Sequence, residues 1–178
     1  MQPSQRARCS VFLATSLDGS IARSDGSIDW LEPFHGHEHG YTAFFSSVDT
    51  LIIGRGTWDT VVGFPDWPYA GKRVVVMTHQ ALTPRRAETF TSASPQALLA
   101  QLTREGSRRI YVDGANVIQQ FLAAGLIDDL TITVVPIVLG GGIRLFAGGE
   151  GERSFVLESA RSWQNGLAQL RYRAVTPP

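Results

Sequence analysis

A chain of 178 residues, 43% hydrophobic and 18% charged, has enough apolar material for one domain with a proper core. Its acidic and basic side chains cancel to a net charge of zero, which leaves no electrostatic case for nucleic acid or an anionic membrane, and no apolar run approaches spanning length. One cysteine, Cys9, excludes an internal disulfide and a thiolate metal cluster, and Lys72 as the sole lysine leaves arginine forks to grip any phosphate. The expectation is a single domain over residues 1–178 with 1–7 frayed, cytoplasmic and acting on a small molecule; Ser10–Ala14 is too short for a signal core.

Cys9–Ala14 reads as a strand covered on both faces, ended by turn chemistry at Thr15–Gly19. Ser20–Asp29 reads as a loop or short hairpin, Trp30-Leu31 as an apolar patch that packs it down, and Pro33–Gly40 as irregular. Tyr41–Ser47 suits a short helix sending Phe44 and Phe45 inward, and Thr50–Ile53 a second buried strand broken by Gly54–Thr57. A helix is expected to begin near Trp58 and to stop at the prolines of Gly63–Pro68. Arg73–Met77 is a third strand, Glu88–Thr91 a short one, and Ser94-Pro95 an N-cap with proline at the first helical position.

Ile110-Tyr-Val112 is a further buried strand that stops at Asp113-Gly-Ala-Asn116 and restarts as a helix through Val117, Ile118, Phe121 and Leu122. Such a turn lets backbone approach a ligand, and the first helical N–H groups attract phosphate. Asp129–Val138 is a strand interrupted by Pro136, then comes Gly140-Gly-Gly142. Phe155–Ser162 and Leu167–Val175 flank Asn165-Gly166, a strong hairpin signal. Strands alternating with helices before a closing hairpin predict an α/β fold with a mostly parallel sheet and an antiparallel edge. Three parallel strands then end in candidate ligand-facing turns, at Gly54-Arg55-Gly56-Thr57, Thr78-His79 and Asp113–Asn116, where open α/β sheets gather ligands.

With Ser16–Ala22, Asp29-Trp30, Leu51–Trp58, Asp113–Asn116 with Phe121-Leu122, and Pro136–Phe146 in that order, the chain resembles the dihydrofolate reductase superfamily. Within it, the chain is similar to stand-alone relatives of the riboflavin-biosynthesis reductase domain. The resemblance implies an NADPH-dependent reductase of a small heterocyclic or sugar-phosphate substrate, of pterin or riboflavin-precursor type. It places Ala14 and Ile21 at the nicotinamide, Gly54, Arg55 and Thr57 at adenosine-side phosphates, and Thr78 at the adenine ribose phosphate. Asp113, Gly114, Ala115, Asn116 and Val117 would hold the pyrophosphate, and Asp18, Trp30 and Glu38 would face the substrate as catalytic residues. It also implies a homodimer through Leu130–Leu139. The family joins paired glycines by a cis peptide, so carry-over implies a cis Asp113–Gly114 bond, with the carboxylate turned from the phosphates. The riboflavin-pathway enzymes carry an arginine for the substrate phosphate where this chain reads Tyr41–Ser47, with none. The alternative is a non-catalytic nucleotide-binding protein that kept the fold.

His35-Gly-His-Glu-His39 invites a metal-dependent hydrolase, but nothing in the spacing sets three imidazoles on one face, and no metal is expected. One of these histidines could instead donate a proton.

Overall fold

The computed structural model describes residues 6–34, 39–149 and 151–175. Its centre is β1 (Arg8–Ser16), with β6 (Arg109–Asp113) parallel on one side and β7 (Asp129–Val135) parallel on the other. Outward from β6 lie β3 (Thr50–Gly54), β4 (Arg73–Met77) and β5 (Thr89–Thr91), all parallel. Beyond β7 the hairpin of β9 (Phe155–Ser162) and β10 (Ala168–Ala174) adds an antiparallel edge, giving the order β5-β4-β3-β6-β1-β7-β10-β9. The α/β expectation, dihydrofolate reductase-like with a mostly parallel sheet and a C-terminal hairpin, is met.

The apolar runs are continuous because the central strands are covered on both faces. On one face α3 (Pro95–Arg104) and α4 (Ala115–Ala123) press Leu98, Leu102, Ile118 and Phe121 onto Cys9, Val11, Ile52 and Val112. On the other, α1 (Tyr41–Ser47) and α2 (Arg55–Val61) press Phe44, Trp58 and Val61 onto Leu51, Ile53, Val74 and Tyr111. Each fully buried Leu, Ile or Phe is worth roughly 1.5–3 kcal/mol over exposure. Ser94 caps α3 as its position before proline requires, accepting the Ala97 N–H at 3.3 Å.

Carboxylates pin the register at the sheet's amino end. Asp128 accepts from Cys9 N at 2.7 Å, and buried Asp129 from Ser10 Oγ at 2.8 Å and Arg8 Nε at 2.6 Å. Asp49 accepts from the Arg108 and Arg109 amides. The opposite, carboxyl end of the sheet is left for a cavity.

Three sequence expectations change. The helix after β3 begins at Arg55 rather than near Trp58: burial of Trp58 and Val61 outweighs the roughly 1 kcal/mol that Gly56 costs in a helix. The strand from Asp129 stops at Val135, because Pro136 has no N–H for a ladder. The segment after β1 forms no local hairpin; β2 (Ser20–Ala22) pairs antiparallel with β8 (Ile143–Arg144).

That pairing is reinforced by Asp18. Its Oδ1 accepts from Leu139 N and its Oδ2 from Gly140 N, both at 3.0 Å, while Arg144 donates to the Asp18 carbonyl at 2.9 Å. Contacts with Ser16 and with these amides hold the Asp18 carboxyl below the usual carboxylate range. The clasp ties the turn after β1 to the glycine-rich turn, and residues on both sides of it reach the cavity. Replacing Asp18 by alanine should speed hydrogen exchange at the Leu139 and Gly140 amides by roughly tenfold while β3 and β6 stay protected. Unchanged exchange at those two amides would show that the clasp holds nothing.

Candidate functional site

Strands β4, β3 and β6 are neighbours, so their carboxyl ends bring Thr78, Gly54–Thr57 and Asp113–Asn116 side by side. α2 follows β3 without a gap, and only Gly114 separates β6 from α4. Both helices start from a glycine with no side-chain cap. The two turns interlock. A Cβ on Gly54 would lie 3.2 Å from Val117 Cγ2, and one on Gly114 would lie 2.7 Å from Thr57 Oγ1. Gly114 also has φ +89°, a conformation L side chains rarely adopt.

This corrects one expectation. The Asp113–Gly114 bond is trans, as are all peptide bonds among the described residues. Glycine's positive φ turns the chain directly, and Asp113 stays in ordinary strand geometry. The space beside Gly114 is taken by the Thr57 hydroxyl, so a larger residue there would strike α2 before it could meet a ligand.

The turns form one wall of an open cavity of about 1210 Å³. Ala14, Ile21, Gly54, Arg55, Thr57, Thr78, Asp113, Gly114, Ala115 and Asn116 all line it. Val117 does not; it is fully buried beneath Gly54. Asp18 does not, its carboxylate being spent on the clasp. Trp30 does not either: it is buried with Val135 and Leu167, its indole N–H without an acceptor among the described residues, while Leu31 and Phe34 reach the cavity. Asp18 and Trp30 thus lie beside the cavity rather than in its lining. Glu38, His35 and His37 lie outside the described residues. His39 lines the cavity and packs edge-on against Trp163, and among the described residues no cluster could hold a metal ion.

Asp113 is a raised carboxyl in the cavity lining. Burial pushes its carboxyl up to about 6, against an opposing hydrogen bond from the Gly114 N–H. Three phenols line the same cavity. Burial first and the Asp113 charge second push Tyr41 up to about 12 and raise Tyr69 and Tyr111 as well. The Asp113 carboxylate accepts from a backbone N–H and borders the cavity.

The tyrosines were not visible as site residues in the sequence. Tyr41 opens α1 and Tyr69 follows the proline-rich link after α2; only the density of aromatics in Tyr41–Phe45 and Trp67–Tyr69 hinted at a ring-lined wall. Tyr111 comes from inside β6, and its hydroxyl donates to the Phe12 carbonyl at 2.8 Å.

The donor set of these turns suits a dinucleotide. The first-turn amides of α4 have no side-chain acceptor, and no atom lies within 4 Å of the point where a Gly56 Cβ would be. The Arg55 guanidinium is held ready by Asp59, with Nε–Oδ2 at 3.1 Å, and by Gln80. Thr57 and Thr78 add hydroxyls.

Known proteins agree with this geometry. Over 166 residues the chain is 37% identical to the uncharacterized protein YwjB of Bacillus subtilis (strain 168), covering 91% of this chain and 95% of the relative. A crystal structure from Shewanella sp. PV-4, provisionally named for riboflavin biosynthesis, superposes with a TM-score of 0.88 at 35% identity, covering 95% of this chain and 99% of that one. Dihydrofolate reductase of Enterococcus faecalis, solved with NADP(H), shares the fold with a TM-score of 0.66 at 15% identity over 94% of this chain and 96% of its own. The model of the RibD C-terminal domain matches residues 9–168, and the chain belongs to that family.

Proposed function

We propose that the protein is an NADPH-dependent reductase acting by hydride transfer on a small heterocyclic substrate. The observation that carries this reading is the convergence of Arg55, Thr57, Thr78 and the uncapped start of α4 in one cavity that aromatic rings also line. Family membership and a fold shared with an NADP(H)-bound reductase support it.

Bound NADPH would supply the hydride. Arg55, Thr57, Thr78 and the amides of Ala115 and Asn116 would hold its phosphates, and Ala14 and Ile21 would flank the nicotinamide. The chain's own part is to orient a second ring against that wall and exclude water. A proton must follow the hydride. Asp113, a cavity-lining acid that burial keeps protonated up to about pH 6, would give it.

Isothermal titration should give saturable NADPH binding tighter than about 1 mM, with Arg55→Ala weakening it roughly tenfold. No saturation at millimolar concentrations would end the reading. The raised Asp113 carboxyl also has a stability signature. Below the ordinary carboxylate range both folded and unfolded chains are protonated and no penalty exists. The penalty grows as pH rises to about 6 and is complete above it. Asp113→Asn should therefore stabilise the fold by roughly 1–2 kcal/mol at pH 7.5 and hardly at all at pH 4, as read by urea unfolding.

We further propose a homodimer. One face of β7, β10 and β9 carries Leu130, Ile132, Val134, Leu170, Tyr172 and Leu157, and no described helix covers its outer part, where Leu157 is 50% exposed. The reverse face of β10 carries Arg171 and Arg173, paired with Glu158. Arg153 is the one charge lining the apolar groove among the described residues, and it is spent on the Leu122 and Ala123 carbonyls, so two such faces meet without repulsion. Sedimentation at micromolar concentration should show a dimer that Leu157→Glu converts to monomer; a monomeric parent would refute it.

A further inference from the structure

Beyond the cavity, the outer part of one sheet face carries an excess of positive charge. Arg161, Arg171 and Arg173 stand together on one face of the β9–β10 ribbon: Arg161 is the cross-strand partner of Gln169, and Gln169, Arg171 and Arg173 alternate along β10. Arg8 and Arg109 lie on the same face beyond β7. Among the described residues of this face, two carboxylates, Asp129 and Glu158, answer these five guanidinium groups, in a chain whose net charge is zero. Burial holds Arg109 below its ordinary value, and the charges of Arg8 and Arg171 push it the same way, so the cluster repels itself.

Its outer members have capacity to spare. Arg171 and Arg173 share Glu158, each through Nε, at 3.2 and 3.3 Å, and both are half-exposed. Arg161 is exposed and makes no hydrogen bond or ion pair among the described residues. β9 is the last strand of the sheet, bonded to β10 alone, and all but its first residue are exposed. One side of its backbone therefore offers N–H and C=O groups, and no proline or lysine in Phe155–Ser162 blunts that edge.

The spacing selects the shape of a partner. Side chains on one face of a strand recur about every 6.8 Å. Arg173 and Arg171 are two residues apart, and Arg161 sits opposite the residue two further along, so the three charges step along the ribbon at that interval. An extended peptide with acidic residues at alternate positions repeats at the same interval, and its backbone can add to the open edge. A nucleic acid would find no aromatic ring on this face of β9 and β10 against which to stack its bases.

We propose that the β9 edge and its arginine face dock an extended acidic segment of a partner protein, whose alternate carboxylates meet Arg161, Arg171 and Arg173. This is independent of the reductase reading, and a homodimer through Leu157 and Leu170 would cover the opposite face.

The test is fluorescence anisotropy on the full chain with three labelled probes: a short peptide alternating glutamate and threonine, a peptide of the same composition with its glutamates in one block, and oligo(dT). The alternating peptide should bind with a Kd below about 1 mM at low salt and lose affinity as salt rises. Arg161→Glu, at a position without a partner, should weaken it roughly tenfold. Glu158→Gln, which frees Arg171 and Arg173, should tighten it about threefold, a gain that no loss of folding could produce. Failure of the alternating peptide to bind, equal binding of the block peptide, tighter binding of oligo(dT), or indifference to both substitutions would each overturn the inference. So would self-association that Arg161→Glu abolishes, which would give the edge to a second copy.

Discussion

The fold's functional end depends on one close approach. Gly54 and Gly114 let two βα turns press together, each filling with a neighbour's side chain the space its own Cβ would need. Because β3 and β6 are adjacent and parallel, α2 and α4 must leave the sheet within a few ångströms of each other. Without glycine at both sites the helices would have to splay. The consequence is that Thr57 serves the packing of α4 as well as the cavity, and Val117 serves the turn beneath Gly54 rather than any ligand.

A second consequence is electrical. Strand β6 ends at the same interlock, so the last side chain before the turn, Asp113, is held where protein atoms replace water. Burial keeps its acid form within reach of neutral pH, and a carboxyl so held becomes chemically useful. The neighbouring turns add a guanidinium, hydroxyls and backbone N–H groups, so one cavity offers unlike chemical groups.

Most of the framework is legible in the residues. Thr50–Ile53, Arg73–Met77 and Ile110–Val112 read as buried strands because burial on both faces demands unbroken apolar runs. Ser94-Pro95 and Asn165-Gly166 mark their boundaries by backbone chemistry alone. The wall of turns is legible for the same reason, since parallel strands must end together. What sequence hides is direction. An Asp-Gly pair after a strand looks the same whether the carboxylate meets a ligand or, as Asp18 does, caps amides 121 residues away. Trp30 reads as a ring near the site yet points into a separate apolar cluster, and Tyr41 and Tyr69 come from segments whose meeting only the tertiary fold decides. The resemblance misled at Asp113–Gly114, because it carried over a cis bond that one glycine at positive φ makes unnecessary.

The placement of β1 bears on how the chain reaches this state. The first strand made is the middle of the finished sheet, and its partners begin at Arg109 and Asp129, more than a hundred residues later. Closing the sheet over such sequence separations places this topology among slow folders, because β1 gains both neighbours only when segments about a hundred residues apart in the chain meet.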